Sequence, residues 1–282
     1  MKKILFPTDF STTASNAFVY ALHLAKSINA EIFVLHSYEM PIISTTSGGQ
    51  PELIQGVYES IELNNFERYK NEGPILRKVA AEYGLEDVKL TFIFEEGLLL
   101  MNMKRIIKDE AIDFVVMGTN GNHSLEKKLL GSNTVNVINS IDIPILSVPA
   151  KAKFRSLFSF GFATMLNESD KVGIDRIIRI ATAINAEVKL LHVLRKENRE
   201  IVDVIKKWKE YFNNDKVKIY TVLNPNLEES VFYFIDEHLI DVMCIVKRQL
   251  NFFERLFTSS LSKQLSYHSD VPVLILPQPK QE

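Results

Sequence analysis

The feature that most constrains this chain is an internal repeat. Ile28-Asn29-Ala30-Glu31 through Leu35-His36 returns as Ile184-Asn185-Ala186-Glu187 through Leu191-His192, an offset of 156 with six identities in nine. A second ungapped pairing sets 112–149 against 240–277 at an offset of 128, with eight identities in 38, among them Asp113/Asp241, Asp142/Asp270, Pro144/Pro272 and Pro149/Pro277. Such self-similarity makes the chain two copies of one unit, and 282 residues give each copy the size of an ordinary domain. We place the units at 1–150 and 151–282. The offset falls by 28 (156 against 128), so the first copy carries that many extra residues between His36 and Ile112. The Pro41 to Pro51 stretch, rich in Ser, Thr and Gly, is the obvious place for part of them.

Within the first copy, short apolar runs alternate with longer amphipathic ones. Ile4-Leu5-Phe6, Ile32 to Leu35, Leu90 to Phe94, Phe114 to Met117 and Ile145 to Val148 read as strands covered on both faces, the pattern of a parallel sheet. Between the first two, Ala14 to Ile28 puts Ala17, Ala21, Leu24, Ala25 and Ile28 on one helical stripe. The alternation predicts an α/β fold: two tandem doubly wound (Rossmann-like) domains, each a five-stranded, mainly parallel sheet of order 3-2-1-4-5 flanked by helices.

Composition narrows the partners. An apolar fraction of 46% with 24% charged residues excludes a disordered or collagen-like chain. The net charge of −2 splits into 13 basic and 18 acidic residues before 151, and 20 and 17 after it. Neither half carries the footprint of a nucleic-acid or anionic-membrane binder. The single cysteine, Cys244, cannot close an internal disulfide, which fits a reducing compartment. No run approaches the ~18 apolar residues of a membrane span. Met1-Lys2-Lys3 leads into a strand-like run without a signal-peptide cleavage pattern. We expect a cytoplasmic protein.

Directly after the fourth strand comes Gly118-Thr119-Asn120-Gly121, and nine residues later Gly131-Ser132. Backbone amides approach a phosphate most closely where no Cβ intervenes and where a helix start leaves N–H groups unpaired. Ser132 suits the N-cap of a helix from Asn133 to about Ser140. A plain turn accounts for one pair of glycines; three glycines and a serine at these offsets favour a phosphate cradle. In an open parallel sheet, ligands settle beyond the carboxyl ends of the strands where strand order reverses, here between the first and fourth strands. Pro7-Thr8-Asp9 and Met117-Gly118 would open onto that cleft. Asp9 is then placed to accept hydrogen bonds from a base or sugar, or else it only caps the helix beginning near Ser11.

The run Lys2 to Ser11 (KKILFPTDFS), the G-x2-G-x9-G-S spacing at 118–132 and the closing Pro144 to Val148 resemble the universal stress protein family in its ATP-binding branch. The likeness spans essentially the whole chain as two tandem units. It implies adenine contact near Asp9, Pro7 and, at the end of the second strand, Ser37. It also implies ribose and phosphate contact at Met117, Gly118, Gly121, Asn122, Gly131, Ser132, Asn133 and Thr134. The implied ligand is ATP or another adenine nucleotide, with or without Mg²⁺, and the implied role is a nucleotide-responsive stress regulator. Members pair through the edge strand near the domain's C-terminus, which here implies an intramolecular pseudo-dimer, with a homodimer as a further option.

The second copy has lost the motif. The offset of 128 maps Gly118, Gly121 and Gly131 onto Val246, Gln249 and Ser259. Setting Ser156-Leu157-Phe158 on Ile4-Leu5-Phe6 puts Gly161 opposite Asp9 and Phe160 opposite Thr8. Leu250, Phe252, Phe253, Leu256 and Phe257, with Lys247 and Arg255 among them, crowd the space of a polyphosphate. This half is expected to hold no nucleotide and to supply a partner surface. The Phe252-Phe253 pair reads as core filling or an interaction patch.

Other candidates carry less. Neither G-x4-G-K-[ST] nor G-x-G-x-x-G is present, so P-loop and dinucleotide chemistry have no support. The six histidines lack metal-ligand spacing with one another or with Cys244, and His36 and His192, equivalent in the two copies, read as fold residues. His123, Lys127 and Lys128 lean over phosphates or line a solvated loop. Glu95-Glu96 reads as a charged loop, Trp208 as half-buried packing in a helix over 201–212, and the 38–60 segment as a lid or an insertion. Three functions stand: an ATP-binding regulator with its site in the first copy only, a slow ATPase or autophosphorylating protein with Ser132 or Thr134 as acceptor, and a nucleotide-free interaction module.

Overall fold

A computed structural model describes residues 1–40, 51–119, 132–196, 200–250 and 271–277, the side chains of 51–54 and 132 excepted. The first half runs β1 (Lys2–Pro7), α1 (Thr12–Ile28), β2 (Ala30–Tyr38), α2 (Pro51–Glu82), β3 (Leu90–Glu96), α3 (Leu99–Asp109), β4 (Phe114–Gly118), α4 (Ser132–Ser140) and β5 (Ile145–Val148). The second follows with β6 (Ser159–Ala163), α5 (Glu168–Ala183), β7 (Glu187–Leu194), α6 (Ile201–Phe212), β8 (Val217–Leu223), α7 (Leu227–Glu237), β9 (Val242–Val246) and β10 (Val273–Leu276). All five strands expected in the first half are present. No described helix is long and apolar enough to cross a membrane.

The strands make one ten-stranded sheet in the order β3-β2-β1-β4-β5-β10-β9-β6-β7-β8. Each half has the expected order 3-2-1-4-5. Every pairing is parallel except that of β5 with β10, where Ser147, Leu146 and Ile145 lie opposite Val273, Leu274 and Ile275 in antiparallel register. The halves therefore join through their fifth strands, along the edge that the resemblance implies.

Both faces of the sheet are covered, which is why the strands read as continuous apolar runs. Ile4, Phe6, Ile32 and Val34 face one core with Ala17, Ala21 and Leu24 of α1, and this core continues through Phe160, Phe162, Val188 and Leu190. Leu5, Phe33 and Leu35 face the opposite core with Met103 and Ile138, continued by Val231, Met243 and Ile245. Trp208 is 3% exposed, so it is wholly rather than half buried.

The duplication is preserved to the level of single hydrogen bonds. Lys3 pairs with Glu31 and Ser159 with Glu187, so the offset of 156 already holds at the first strand. Thr8 and Thr164 donate their amides to Leu35 and Leu191 at 2.8 and 2.9 Å. Phe10 and Leu166 both take a positive φ, 57° and 55°, and both donate their amides to the threonine hydroxyl two residues back. A bulky residue in that region is strained, and its recurrence ties the strain to the turn itself. These pairs correct the expected alignment: Thr164 and Met165, not Phe160 and Gly161, stand opposite Thr8 and Asp9. The cause is steric. A Cβ on Gly161 would lie 2.9 Å from Ile240 Cγ2 and 3.0 Å from Met243 Sδ, so β6 uses small residues on that face and lacks the apolar signature that Leu157-Phe158 imitates.

The extra residues of the first half are largely helix. α2 has 32 residues against 12 in α6. Residues 51–60 of the expected 38–60 lid or insertion belong to it, and 41–50 lie outside the described residues.

Candidate functional site

Strand order reverses between β1 and β4, which pair directly through Ile4/Phe114 and Leu5/Val115. At their carboxyl ends the chain turns into α1 and toward α4. Pro7, Thr8, Asp9, Met117, Gly118, Thr119 and Thr134 gather there, with Ser37 one strand away at the end of β2. Gly121, Asn122 and Gly131 lie outside the described residues, as do His123, Lys127 and Lys128. α4 begins at Ser132 itself, and Asn133 is exposed on its first turn.

The β1–α1 loop is built from its own side chains. Asp9 Oδ1 accepts the Ser11 amide at 3.0 Å, and Ser11 Oγ accepts the Ala14 amide at 3.1 Å, so Ser11 is the N-cap and Asp9 braces it. The Thr8 carbonyl accepts from His36 Nδ1 at 2.8 Å, and His192 repeats this on Thr164 at 3.0 Å, the fold role expected of both histidines. Burial holds the His36 imidazole below its usual 6.5, helped by the Arg68 guanidinium, against the Thr8 hydrogen bond and the Asp9 carboxylate.

α2 supplies residues that sequence reasoning missed. Arg68 lies over the Phe10 ring at 5.8 Å and donates from Nη2 to the Asp9 carbonyl at 3.2 Å. Tyr69 packs beside Phe10 and Phe94, at 6.2 and 5.0 Å, and burial pushes its phenol up to about 12. Across β2, Ser37 Oγ accepts from Asn102 Nδ2 at 3.0 Å, an α3 residue also absent from the expected set. Nothing in the spacing of Arg68 or Asn102 marks them. Glu95 and Glu96 are the last residues of β3, paired with Ser37 and Tyr38, and not the charged loop expected of them; Glu95 meets Arg105 at 2.9 Å.

At the end of β4, Met117 is 5% exposed and packs among Leu5, Ile138 and Ile145, so it offers the cleft only its backbone. Gly118 lies so near α1 that a Cβ there would sit 2.8 Å from Thr13 Cγ2 and 3.2 Å from the Thr13 carbonyl oxygen. Thr134 is 3% exposed, and its hydroxyl lies 3.2 and 3.0 Å from the Gly118 and Thr119 carbonyl oxygens, tying α4 to the β4 exit.

The second half fills the equivalent corner. Val246 replaces Gly118, and its Cγ2 would lie 2.8 Å from a Cβ on Gly173, the counterpart of Ala17. Asp170, 2% exposed, accepts from the Thr164 hydroxyl and the Met165 amide, both at 2.9 Å. Arg248 Nη2 closes onto its other oxygen at 2.6 Å. An internal ion pair thus spans from the first turn of α5 to the residues after β9, and Met165 stands 77% exposed where Asp9 stood. Phe252, Phe253, Arg255, Leu256, Phe257 and Ser259 lie outside the described residues.

Residues 1–149 match the universal stress protein family. Universal stress protein MJ0531 of Methanocaldococcus jannaschii is 31% identical over 153 residues, 54% of this chain and 84% of that protein. Universal stress protein MJ0577 of the same organism is 31% identical over 163 residues, 53% of this chain and 96% of that protein. A solved universal stress protein from Archaeoglobus fulgidus covers 98% of both chains with a TM-score of 0.63 at 15% identity, a likeness of fold alone that runs through the second half as well. With more than half its length matched and its doubly wound architecture shared from end to end, the chain belongs to the universal stress protein family.

Proposed function

We propose that this stress protein is a cytoplasmic regulator that binds one ATP, or another adenine nucleotide, per chain, in the crevice between β1 and β4. The unit at 1–150 holds the ligand, and the unit at 151–282 is a companion without one. One contrast carries the reading. At the reversal of strand order the first half keeps a side-chain-free backbone at Gly118, whereas the second half inserts Val246 and seals the same corner with Asp170 and Arg248. Ligands of open parallel sheets sit at that reversal, and a polyphosphate needs bare amides there.

The buried hydroxyl of Thr134, held against two carbonyls, makes a poor phosphoryl acceptor, which favours a binder over the autophosphorylating alternative. The test is mass spectrometry of ligand released from freshly purified protein, followed by incubation with labelled ATP and Mg²⁺. Adenine nucleotide recovered intact at about one per chain supports the proposal. Nucleotide-free protein that also fails to take up ATP, ADP, AMP or cyclic AMP contradicts it. Label transferred to Ser132 or Thr134, or steady turnover, makes it an enzyme instead.

A further inference from the structure

A second cavity, of about 780 Å³, opens at the amino ends of β6, β7 and β9, where Ser159, Glu187 and Asp241 line it. Because β5 and β10 run antiparallel, this edge lies on the same side of the sheet as the β1/β4 crevice, with β5 and β10 between them. The volume falls within the roughly 300–1,000 Å³ of small-molecule sites.

Its walls combine two chemistries. Ile235 and Ile240, at the end of α7 and beyond it, form an apolar side whose rim is Leu239, 71% exposed, and Phe158, 64% exposed. Two large apolar side chains left in water beside one cavity mark a binding surface better than scattered ones would. Lys151, Lys153 and Arg155 of the connection from β5 to β6 line the same cavity, all exposed and without a hydrogen bond or ion pair among the described residues.

Asp241 and Glu187 of the lining are engaged by groups other than those three cations, and with Lys189 the lining carries four cations against three carboxylates. The Asp241 carboxylate accepts from Ser156 Oγ at 2.6 Å and from the Phe158 and Ser159 amides at 2.9 and 3.1 Å. Glu187 is engaged by Lys218 and Lys189 at 2.9 and 3.8 Å, and Asp236 has an interaction of its own. Ser159, 6% exposed, has a hydroxyl with no hydrogen-bond partner although it is buried. Buried polar atoms are nearly always satisfied, so an orphan on a cavity wall points to a missing partner.

We propose that this cavity is a second ligand site, for a small organic anion with an apolar body: a carboxylate or phosphate head among Lys151, Lys153 and Arg155, and a hydrocarbon or aryl portion against Phe158, Leu239 and Ile240. The site is separate from the β1/β4 crevice and does not depend on it. Neither an inorganic anion nor an uncharged hydrocarbon satisfies both walls.

The experiment titrates the full-length protein with 8-anilinonaphthalene-1-sulfonate, an apolar anion read by fluorescence. One saturable site is expected, displaced by decanoate or decyl phosphate, not by decanol or inorganic phosphate, and unaffected by saturating ATP. The triple reversal K151E/K153E/R155E, at exposed positions, weakens it about tenfold or more, and L239E weakens it through the apolar wall; thermal melts verify that both variants stay folded. Absence of saturation, affinity unchanged by the triple reversal, or displacement by ATP overturns the proposal. So does sedimentation with anionic lipid vesicles, or self-association abolished by the triple reversal, in place of displacement by decanoate, because the patch then serves a membrane or a second copy.

Discussion

Single residues decide which half keeps an open corner. In the second half the β-branched Val246 is accommodated only because Gly173 faces it, whereas Gly118 in the first half faces α1 with nothing to spare. Gly173→Ala therefore drives a Cβ to 2.8 Å from Val246 Cγ2, and a stiff side chain cannot give way cheaply. We expect a loss of about 1–3 kcal/mol in urea unfolding. In Val246→Ala the same substitution becomes neutral or stabilising, since Ala is the better helix former by up to about 1 kcal/mol. Costs that simply add would refute the contact.

His36 gives a pH signature at the same scale. Burial lowers its folded pKa below 6.5, so the native ring is neutral while the unfolded chain takes up a proton in mild acid. Stability is thus fully present above pH 6.5 and is lost as pH falls toward the folded value. His23, also lowered by burial, acts in the same direction. Urea unfolding between about pH 7.5 and 5.5 should show this slope, and His36→Asn, which keeps a donor for the Thr8 carbonyl, should flatten it. An equal slope in the variant would remove His36 from the explanation.

At the scale of elements, strands buried on both faces were legible because nothing polar interrupts them, and α1 because its stripe is clean. β6 was not, since packing against Ile240 and Met243 demands Ser, Gly and Ala on one face. The length of α2 was hidden by Pro74 inside it and by a long polar surface that resembles a loop. That Asp9, Pro7 and Gly118 lie at the reversal of strand order was legible because they abut strand ends. Arg68 and Asn102 were not, because only tertiary packing brings α2 and α3 to those ends. The loops that set the site are tied to helix starts, and this makes them testable. Ser11→Ala removes the α1 N-cap and should cost about 1 kcal/mol in denaturant unfolding. Asp170→Ala takes the buried carboxylate away from three donors, the Thr164 hydroxyl, the Met165 amide and Arg248, so its cost should be larger, about 3–5 kcal/mol. A cost near zero for Asp170→Ala would mean that the ion pair does not seal the second corner.

For the whole molecule, the antiparallel β5–β10 join spends an edge that would otherwise be a row of unpaired N–H and C=O groups. Residues 1–150 expressed alone should therefore dimerise in analytical ultracentrifugation through the uncovered β5. A strictly monomeric fragment would show that the edge needs no cover. The same join sets the corner at Gly118 beside one closed by the Asp170–Arg248 pair, so on the proposed reading the chain differs from a symmetric pair in ligand capacity. The most direct test is calorimetric titration of the full chain with ATP. The account predicts one site per chain, retained in Val246→Ala and lost in Gly118→Val while a thermal melt shows that variant still folded despite the approach of its Cβ to Thr13. Two sites, or none, or a single site that survives Gly118→Val, would contradict it.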